Sequence, residues 1–467
     1  MKMWSGRFRQ PLDASFERWQ RSFDFDSQLL AEELTASSAY AQALKAAGVL
    51  SSEEALSVLK GLKQIGEEAA ASPEFLQDDE AEDIHHFVEK RLVKLIGETG
   101  KKLHSGRSRN EQIATDLRLF VRSACDSLRN ELGDWCATLL RRAEQASDAA
   151  MPAYTHMQRA EPVLVAHWLL AYVEMFLRDA SRLADCRARL NLCPLGSGAV
   201  AGTTLPLDRR ALAAKLAFDA PAANSIDATS DRDFAVEFAQ TVSMLSLHLS
   251  RWAEEMLLFS TQEYGFLHLP EQFSTGSSAM PQKMNGDLLE LVRGKAGRVI
   301  GDAVNLMMTV KGLPLAYNKD LQETQQPLFD VAETAINILP LVTLWMNAVR
   351  FNFERMGAAA ETGYMNAFAA ATYLVNRGVP FRSAHECVGK AVQNCLEKGC
   401  ELQDLPLEEL RGLNTAFDQD FYSCLGVQQV LAIHDVPGGT APARVKQALA
   451  EAKQKVEALR EGIHAHA

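Results

Sequence analysis

The chain has 467 residues, of which 47% are hydrophobic and 23% are charged, and its formal net charge is −12. This balance is typical of a globular protein, and the length allows two or three domains with a substantial core. The negative charge argues against nucleic acid or a membrane surface as the main partner. The eight cysteines include no C-x-x-C pair, so we expect reduced thiols. No signal segment and no stretch of about 20 apolar residues is found, so we expect a cytoplasmic protein.

Long helices dominate the predicted elements. No proline occurs between Pro73 and Pro152, between Pro221 and Pro270, or between Pro281 and Pro314, so helices there can run long. Within these gaps apolar residues recur every three or four positions, as on one face of a helix. The three stripes are Ile113, Leu117, Phe120, Ala124, Leu128, Leu132 and Leu139; Phe234, Phe238, Val242, Leu245, Leu249, Trp252 and Met256; and Leu289, Val292, Ala296, Val299, Ala303 and Met307. Alternating runs typical of strands are not found.

Breaks in the pattern near residues 106–110 and 358–363 divide the chain. The sequence therefore predicts an all-α fold with an N-terminal helical domain at 1–110, a central long-helix bundle at 111–360 and a small C-terminal helical domain at 361–467. Apolar seams on more than one side of the long helices predict that other copies of the chain cover part of the bundle.

The most informative segment is the polar loop Ser274 to Asp287, with the sequence STGSSAMPQKMNGD. Clusters of serine, glycine and proline are usually plain surface turns. However, GSSAMPQKMNG resembles the G-S-S-x-M-P-x-K-x-N-P signature of the aspartase, fumarase and argininosuccinate lyase superfamily. Gln282, which gives P-Q-K, resembles the argininosuccinate lyase branch, whereas fumarases and aspartases carry glycine and many adenylosuccinate lyases carry histidine there.

Four further segments carry the same resemblance and extend it over nearly the whole chain. MWSGRF at residues 3–8 resembles the opening of the family, and GKKLHSGRSRNEQIATD at 100–116 resembles its first conserved region. MPAYTHMQRAEPVLVAHW at 151–168 and YNKDLQE at 317–323 resemble two later regions.

The resemblance implies a lyase that eliminates fumarate from argininosuccinate, giving arginine, without metal or cofactor. It also implies a homotetramer whose helices form a common core and whose active sites are each built from three chains. Such an elimination removes a proton next to a carboxylate and creates an enolate-like intermediate, which fixed cations and hydrogen-bond donors must stabilise. A base and an acid are also required, each contributing on the order of 10²–10⁴ in rate.

The resemblance assigns roles to individual residues. Ser277 would be the base, held as an alkoxide by Lys283 and loop amides, although a serine alone is a poor base. His156 matches the catalytic histidine, and Glu290 matches the carboxylate that partners it. Substrate-binding residues, from matching positions or from their suitability as donors, are Ser37, Arg109, Asn110, Thr155, Gln158, Lys283, Asn285, Tyr317 and Gln322.

Other polar residues receive no role. His85, His86, His104 and His167 are interpreted as structural, since histidines in helical surroundings commonly are and no H-x-x-x-H pair links them. Arg232 could bind a carboxylate, but pairing with the neighbouring aspartates of the SDRD sequence is the favoured interpretation.

The chain departs from the family pattern at five places. They are Glu33 for aspartate, Ala36 for glycine, Glu111 for aspartate, Gly286 for proline, and Thr324 with Gln325 for Asp-Lys. The family's lysine at position 325 meets a substrate carboxylate, and its loss could cost about 1.5–3 kcal/mol.

Gln325 therefore keeps open a sister lyase that acts on another N-substituted aspartate, such as an adenylosuccinate-type or aminopolycarboxylate substrate. A non-catalytic relative similar to delta-crystallin is a second alternative. The presence of Ser277 and His156 argues against it, since such a protein could lose both.

Overall fold

The computed structural model describes residues 10–464, so the MWSGRF segment lies outside the described residues. The described chain is almost entirely helical, which confirms the predicted fold class. Its α-helices are α1 (Ala14–Trp19), α2 (Phe23–Asp26), α3 (Leu30–Ala46), α4 (Ser52–Ala71), α5 (Ile84–Ile96), α6 (Glu98–Lys101), α7 (Arg109–Ala146), α8 (Val165–Leu190), α9 (Arg209–Lys215), α10 (Ser225–Ser230), α11 (Asp233–Ser260), α12 (Asp287–Val310), α13 (Gln325–Ala348), α14 (Phe353–Ala360), α15 (Ala367–Asn376), α16 (Phe381–Lys398), α17 (Leu407–Leu413), α18 (Val427–Ala432) and α19 (Pro442–His464).

One hairpin interrupts the helices, contrary to the expectation that no strands occur. It pairs β1 (Ala150–Thr155) with β2 (Gln158–Leu164) in antiparallel register, with Thr155 opposite Gln158. No local sequence pattern indicates this hairpin, because the strand pairing shifts register between Pro152 and Tyr154 and burial does not alternate along β1. The remaining strands are two residues long: β3 (Leu192–Cys193), β4 (Ala220–Pro221), β5 (Leu267–His268), β6 (Thr275–Gly276), β7 (Met284–Asn285) and β8 (Arg350–Phe351), paired as β3 with β4, β5 with β8 and β6 with β7.

The predicted apolar stripes are confirmed. All seven residues of the stripe on α11 are buried, and the stripes on α7 and α12 are buried except for partly exposed Phe120 and Met307. A second set of apolar residues on the long helices is exposed by 37–59%. This exposed set is Met244 and Leu247 on α11, Leu291, Val304 and Met308 on α12, and Leu341 and Leu344 on α13.

The chain divides into two compact units, and the three-domain division predicted from the sequence stays a prediction. Unit 1 is Met1–Ser127, Arg182–Ser243 and Gly297–Ala335, and unit 2 is Leu128–Ser181, Met244–Ala296 and Ile336–Ala467. Five long helices, α7, α8, α11, α12 and α13, contribute residues to both units.

Each unit has its own core. In unit 1, α3 packs on α4, and α4 packs on α5. In unit 2, Trp252 makes edge contacts with Trp135 and Trp345, at ring-centroid distances of 5.0 and 5.2 Å, which joins α7, α11 and α13. All three rings are fully buried, and truncating such a residue to alanine typically costs about 3–5 kcal/mol.

The segment Lys319–Ala348 is long and apolar enough to cross a membrane by composition alone, which the sequence analysis did not anticipate. In the structure 56% of its most apolar window is buried against the rest of the protein. This burial is typical of a core helix in a soluble fold.

Candidate active site

The signature loop is closed at its base by a short strand pair and the start of α12. Thr275 in β6 lies opposite Asn285 in β7, and the backbone N–H and hydroxyl of Thr275 both donate to the Asp287 carboxylate, at 3.1 and 2.6 Å. The Asn285 amide in turn donates to the Thr275 hydroxyl at 3.4 Å. This closure presents residues 277–283 as an exposed loop of defined shape.

Ser277 lies in this loop with its oxygen as a hydrogen-bond acceptor. The backbone N–H groups of Ala279 and Met280 donate to the Ser277 hydroxyl oxygen at 3.3 and 3.1 Å. Two donors aimed at one oxygen stabilise negative charge there, as in an oxyanion hole. The geometry therefore matches the loop amides expected to hold a Ser277 alkoxide, while no hydrogen bond joins Lys283 to Ser277 in the described chain.

Lys283 and Glu290 are exposed, and Asn285 is half-buried. Gly286, which stands where the family pattern has proline, is buried, and a Cβ there would lie 2.7 Å from Leu257 Cδ2. The neighbouring Leu257 thus favours the smallest residue at this position.

His156 lies at the tip of the β1–β2 hairpin. His156 and Met157 form its two-residue loop, with positive φ angles of 53° and 61°. Two left-handed residues in a two-residue hairpin loop indicate a type I′ turn, which normally takes asparagine and glycine. Thr155, His156 and Gln158 are all exposed, so the turn presents its polar side chains to solvent. Non-glycine residues in such a strained turn are commonly functional.

Within one chain, His156 and Glu290 form no ion pair and no hydrogen bond among the described residues. The pairing that the resemblance implies is therefore not made within a single copy. Both side chains are exposed and remain available for partners from other copies.

Unit 1 contains a cavity of about 160 Å³ that brings together four of the predicted substrate-binding residues, Arg109, Asn110, Tyr317 and Gln322. Arg109 and Asn110 lie in the first turn of α7, where the Ser108 backbone N–H donates to Glu111 Oε1 and the Asn110 N–H donates to Ser108 Oγ. This is a capping arrangement for a helix start. The remaining lining residues are Ser22, Asp26, Glu82, Asp83, His85, Ile113, Lys319 and Gln325.

Three carboxylate residues that sequence reasoning did not find, Asp26, Glu82 and Asp83, also line this cavity. The Arg109 guanidinium lies 2.9 Å from Asp83 and 3.5 Å from Glu82. Asp26 is 1% exposed, and burial, reinforced by the charge of Asp83, raises its pKa to about 7. Arg109 and Lys319 supply positive charge against Glu82 and Asp83, so the lining carries groups of both signs.

Ser37 does not line the cavity. It is fully buried, donates to the Glu33 carboxylate at 2.5 Å and accepts a hydrogen bond from Arg107 at 2.9 Å. Glu33, His85 and Asp116 form a buried cluster in which His85 lies 2.9 Å from Asp116 and 3.7 Å from Glu33. Burial raises the pKa of Glu33 and of Asp116, which favours a shared proton within this cluster. The role of Ser37 as a substrate contact therefore stays a prediction.

Three of the residues that differ from the family pattern, Glu111, Thr324 and Gln325, have defined surroundings in the structure. Glu111 caps α7 and accepts a hydrogen bond from the Gly196 N–H at 2.6 Å, and the Thr324 hydroxyl donates to the Leu321 carbonyl at 2.6 Å. Gln325 is 3% exposed and lines the cavity, where its Oε1 has no hydrogen-bond partner among the described residues. The neutral amide therefore occupies the position of the family's lysine.

The favoured interpretation of Arg232 was wrong. Among the described residues its guanidinium makes one hydrogen bond, from Nη1 to the backbone carbonyl of Asp231 at 2.8 Å, because the Asp231 carboxylate pairs with Arg118. His85 is buried against Asp116, as expected of a structural residue, although it also contacts the cavity.

The similarity to known proteins agrees with these features. A family model described as lyase matches residues 6–301, and a model described as argininosuccinate lyase C-terminal matches residues 364–432. An argininosuccinate lyase of Koribacter versatilis (strain Ellin345) is 59% identical over all of both chains. The chain belongs to the argininosuccinate lyase family. The family's relative in Acidobacterium capsulatum is 57% identical over 97% of this chain and 94% of its own.

Solved structures of other enzymes share this fold. EDDS lyase in complex with formate has a TM-score of 0.86 and 28% identity, covering 98% of this chain and 93% of its own. A class II fumarase from Schistosoma mansoni, with 16% identity and a TM-score of 0.73 over 86% of this chain and 90% of its own, shares the fold alone.

Proposed function

We propose that the protein cleaves argininosuccinate into arginine and fumarate, without metal or cofactor, in the cytoplasm. The observation that carries the choice of substrate is membership of the argininosuccinate lyase family. The unit 1 cavity supports it, because it brings together Arg109, Asn110, Tyr317 and Gln322, which the family resemblance assigns to substrate binding. Its lining carries groups of both signs, which suits an arginine half that has cationic groups and a carboxylate.

The family match also argues against the sister substrates. Relatives that are 45–59% identical over nearly the whole chain are argininosuccinate lyases, and residues 364–432 match a model described as argininosuccinate lyase C-terminal. This match supports argininosuccinate over an adenylosuccinate-type or aminopolycarboxylate substrate.

The elimination is assigned to the loop and the hairpin of unit 2. Ser277 removes the proton next to the succinate carboxylate, and the N–H groups of Ala279 and Met280 stabilise its charged form. Lys283 and Asn285 stabilise the enolate-like intermediate, while Thr155 and Gln158 flank His156 at the hairpin tip. His156 with Glu290 serves the proton transfer to or from the departing nitrogen.

We further propose a homotetramer in which three chains complete each active site. Two structural features support it. The exposed apolar set on α11, α12 and α13 needs a covering surface, because apolar side chains left exposed along bundle helices are commonly covered by other copies of a chain. His156 and Glu290 form no pair within one chain, so partners from other copies are required for the pairing that the family resemblance implies.

The deciding experiment incubates the purified protein with argininosuccinate and follows fumarate absorbance and free arginine, with and without a chelator. We expect both products in equal amounts and no effect of the chelator. Release of fumarate from adenylosuccinate but not from argininosuccinate would show that the substrate is wrong and the reaction class right. No fumarate from either substrate would contradict the proposed function.

A further inference from the structure

Two cysteines meet at the C-terminal end of α16. Gly399 ends this helix in the left-handed conformation, with φ of 65°, and the Cys400 N–H donates to the Cys395 carbonyl at 3.1 Å. A hydrogen bond of this span at a helix end is a Schellman motif, in which the side chains of the first and last residues commonly contact each other. The helix end therefore brings the Cys395 and Cys400 side chains together.

The same hydrogen bond limits the separation of the two residues. It holds their Cα atoms at most about 7 Å apart, because the carbonyl oxygen and the amide nitrogen each lie within about 2.4 Å of their own Cα. Disulfides usually join residues whose Cα atoms are about 4.4–6.8 Å apart. Cys395 is fully buried in a core cluster of unit 2, Cys400 packs against that cluster, and both thiols are free. The pair is thus a reduced dithiol within reach of a disulfide.

The two thiols differ in their surroundings. Burial and the neighbouring Cys400 thiol raise the pKa of Cys395 to about 12, so Cys395 is protonated at neutral pH. Cys400 is partly exposed, so a small oxidant can reach it. The thiolate is the reactive form of cysteine, and a dissolved oxidant meets accessible thiols first. Cys400 is therefore the residue that reacts first.

Cys400 is tied to the loop at residues 362–364. Its carbonyl accepts a hydrogen bond from the Tyr364 hydroxyl at 3.1 Å. The carboxylate of the next residue, Glu401, accepts two backbone N–H groups of the same loop at 3.0 and 3.3 Å. From the other side, Arg159 of β2 donates a 2.9 Å hydrogen bond to the first residue of the loop. A displacement of Cys400 therefore moves the segment that anchors the β1–β2 hairpin.

We propose that Cys395 and Cys400 form a reversible disulfide when the protein meets hydrogen peroxide, and that this disulfide lowers turnover. A disulfide draws two Cβ atoms to about 3.8 Å, which pulls the segment after α16 towards the helix and disturbs the loop at 362–364. The effect on turnover rests on the proposed function, in which the hairpin presents His156. The formation of the disulfide itself does not.

The reaction uses one peroxide molecule for each disulfide. The Cys400 thiolate attacks a peroxide oxygen, the O–O bond breaks, and Cys400 becomes a sulfenic acid while hydroxide leaves and takes up the proton that Cys400 had lost. The Cys395 sulfur then attacks the sulfenic sulfur, the S–O bond breaks, and the hydroxyl group leaves as water with the Cys395 proton. Two thiols are oxidised, and hydrogen peroxide is reduced to two water molecules. A thiol reductant regenerates both cysteines by exchange.

The test treats the purified protein with hydrogen peroxide, blocks the remaining thiols with iodoacetamide, and digests the protein with trypsin without reductant. Cleavage after Lys390, Lys398 and Arg411 places the two cysteines in separate peptides, 391–398 and 399–411. We expect these peptides to appear joined, with a mass lower than their sum by two hydrogen atoms, and to separate on reduction.

The same treatment should lower kcat on argininosuccinate about 3–10-fold and change KM less than about threefold, because the hairpin is displaced while the unit 1 cavity is not. Activity should recover with a thiol reductant. This recovery separates the disulfide from methionine oxidation, which needs a dedicated reductase for its reversal.

Cys400→Ser and Cys395→Ala should each keep activity near wild type and lose the reversible inhibition. Cys424→Ser is the matched control, since Cys424 is another partly exposed cysteine of unit 2, and it should respond to peroxide as the wild type does. If Cys395→Ala does not fold, Cys400→Ser decides alone, because Cys400 lies outside the buried core.

Three outcomes would overturn the inference: peptides that stay separate after peroxide, joined peptides with unchanged kcat, or a reversible inhibition that persists in Cys400→Ser. The failure of the proposed function is recognised separately. The untreated wild type would then not turn over argininosuccinate, while the peptide masses would still report whether the disulfide forms.

Discussion

Arg159 in β2 donates a 2.9 Å hydrogen bond to the hydroxyl of Thr362, about 200 residues further along the chain. It also donates to the Ala359 carbonyl at 3.2 Å. The segment it contacts is held from its other side by Glu401, whose carboxylate accepts the backbone N–H groups of Gly363 and Tyr364 at 3.0 and 3.3 Å. The strained turn at His156 and Met157 is therefore anchored through Arg159 and a loop that Glu401 fixes.

Arg159→Met should lower kcat about tenfold and change KM less than threefold. The substitution removes both anchoring hydrogen bonds, so the exposed His156 turn samples more conformations, and charged donors of this kind are worth roughly 1.5–3 kcal/mol. Steady-state kinetics on argininosuccinate measure the split. The control is Arg444→Met, which removes an exposed ion pair with Asp435 in the same unit. Equal kinetics in both variants would contradict an anchoring role.

Met157→Gly should stabilise the protein by about 0.5–1 kcal/mol and leave kcat near wild type. Met157 has φ of 61° and is 60% exposed, so glycine relieves left-handed strain while little packing is lost. Urea unfolding at constant pH measures the change in the free energy of unfolding. A destabilised variant would show that the turn is not strained or that the Met157 side chain packs against a partner in the assembly.

Ser277→Ala should abolish turnover without loss of fold, because the hydroxyl is the proposed base and the side chain is small. Lys283→Ala should be comparably damaging, since Lys283 is exposed and its loss should act on the chemistry alone. Ser278→Ala is the control, an exposed serine one position along the same loop, and should retain activity. Activity near wild type in Ser277→Ala would transfer the role of base to His156.

The sequence was sufficient for the helices and for four of the twelve cavity residues, but for different reasons. Apolar stripes such as that on α11 follow from helical periodicity, whereas Arg109, Asn110, Tyr317 and Gln322 were found through resemblance and are brought together by the fold. Sequence reasoning did not select Asp26, Glu82 and Asp83, because acidic residues near helix ends are common. Only the tertiary structure shows that the three line one cavity.

Two errors have clear physical causes. The β1–β2 hairpin has no period-two burial and no glycine in its turn, so no local pattern indicated it. Arg232 was expected to pair with its sequence neighbours, but the Asp231 side chain instead reaches Arg118, more than a hundred residues earlier in the chain. The spacing of residues in the sequence does not show which arginine Asp231 pairs with, or where the pairing of β1 and β2 shifts register.

Gln325→Lys should lower KM for argininosuccinate by less than about threefold. The family's lysine contributes a charged contact, and if nothing replaced it, restoring it would improve KM by roughly 10–100-fold. Lys319, however, already lines the same cavity, and the Gln325 amide is itself a hydrogen-bond donor there. KM and kcat of the wild type and of Gln325→Lys measure the effect. A tenfold or larger fall in KM would show that the missing lysine limits binding.

Asp26 should make the folded state less stable as pH rises from about 4 to about 7. Its pKa is raised from 3.8 to about 7 by burial and by Asp83, so over this range the folded state holds a proton that the unfolded chain has released. Stability from this group is therefore complete below pH 4 and is lost as pH rises towards 7, with a slope of up to about 1.4 kcal/mol per pH unit.

Asp26→Asn removes the titrating group but keeps an oxygen that can accept from the Ile84 N–H, while its amide N–H can donate to the Ser22 hydroxyl, which now donates to the Asp26 carboxylate. The free energy of unfolding of the variant should therefore decline less than that of the wild type between pH 5 and pH 7. The stability of the variant relative to the wild type should thus increase as pH rises. Urea unfolding at pH 5, 6 and 7 gives the difference directly. Parallel curves for the two proteins would mean that Asp26 has its ordinary pKa in the folded state. Asp26 would then be fully charged in the cavity at neutral pH.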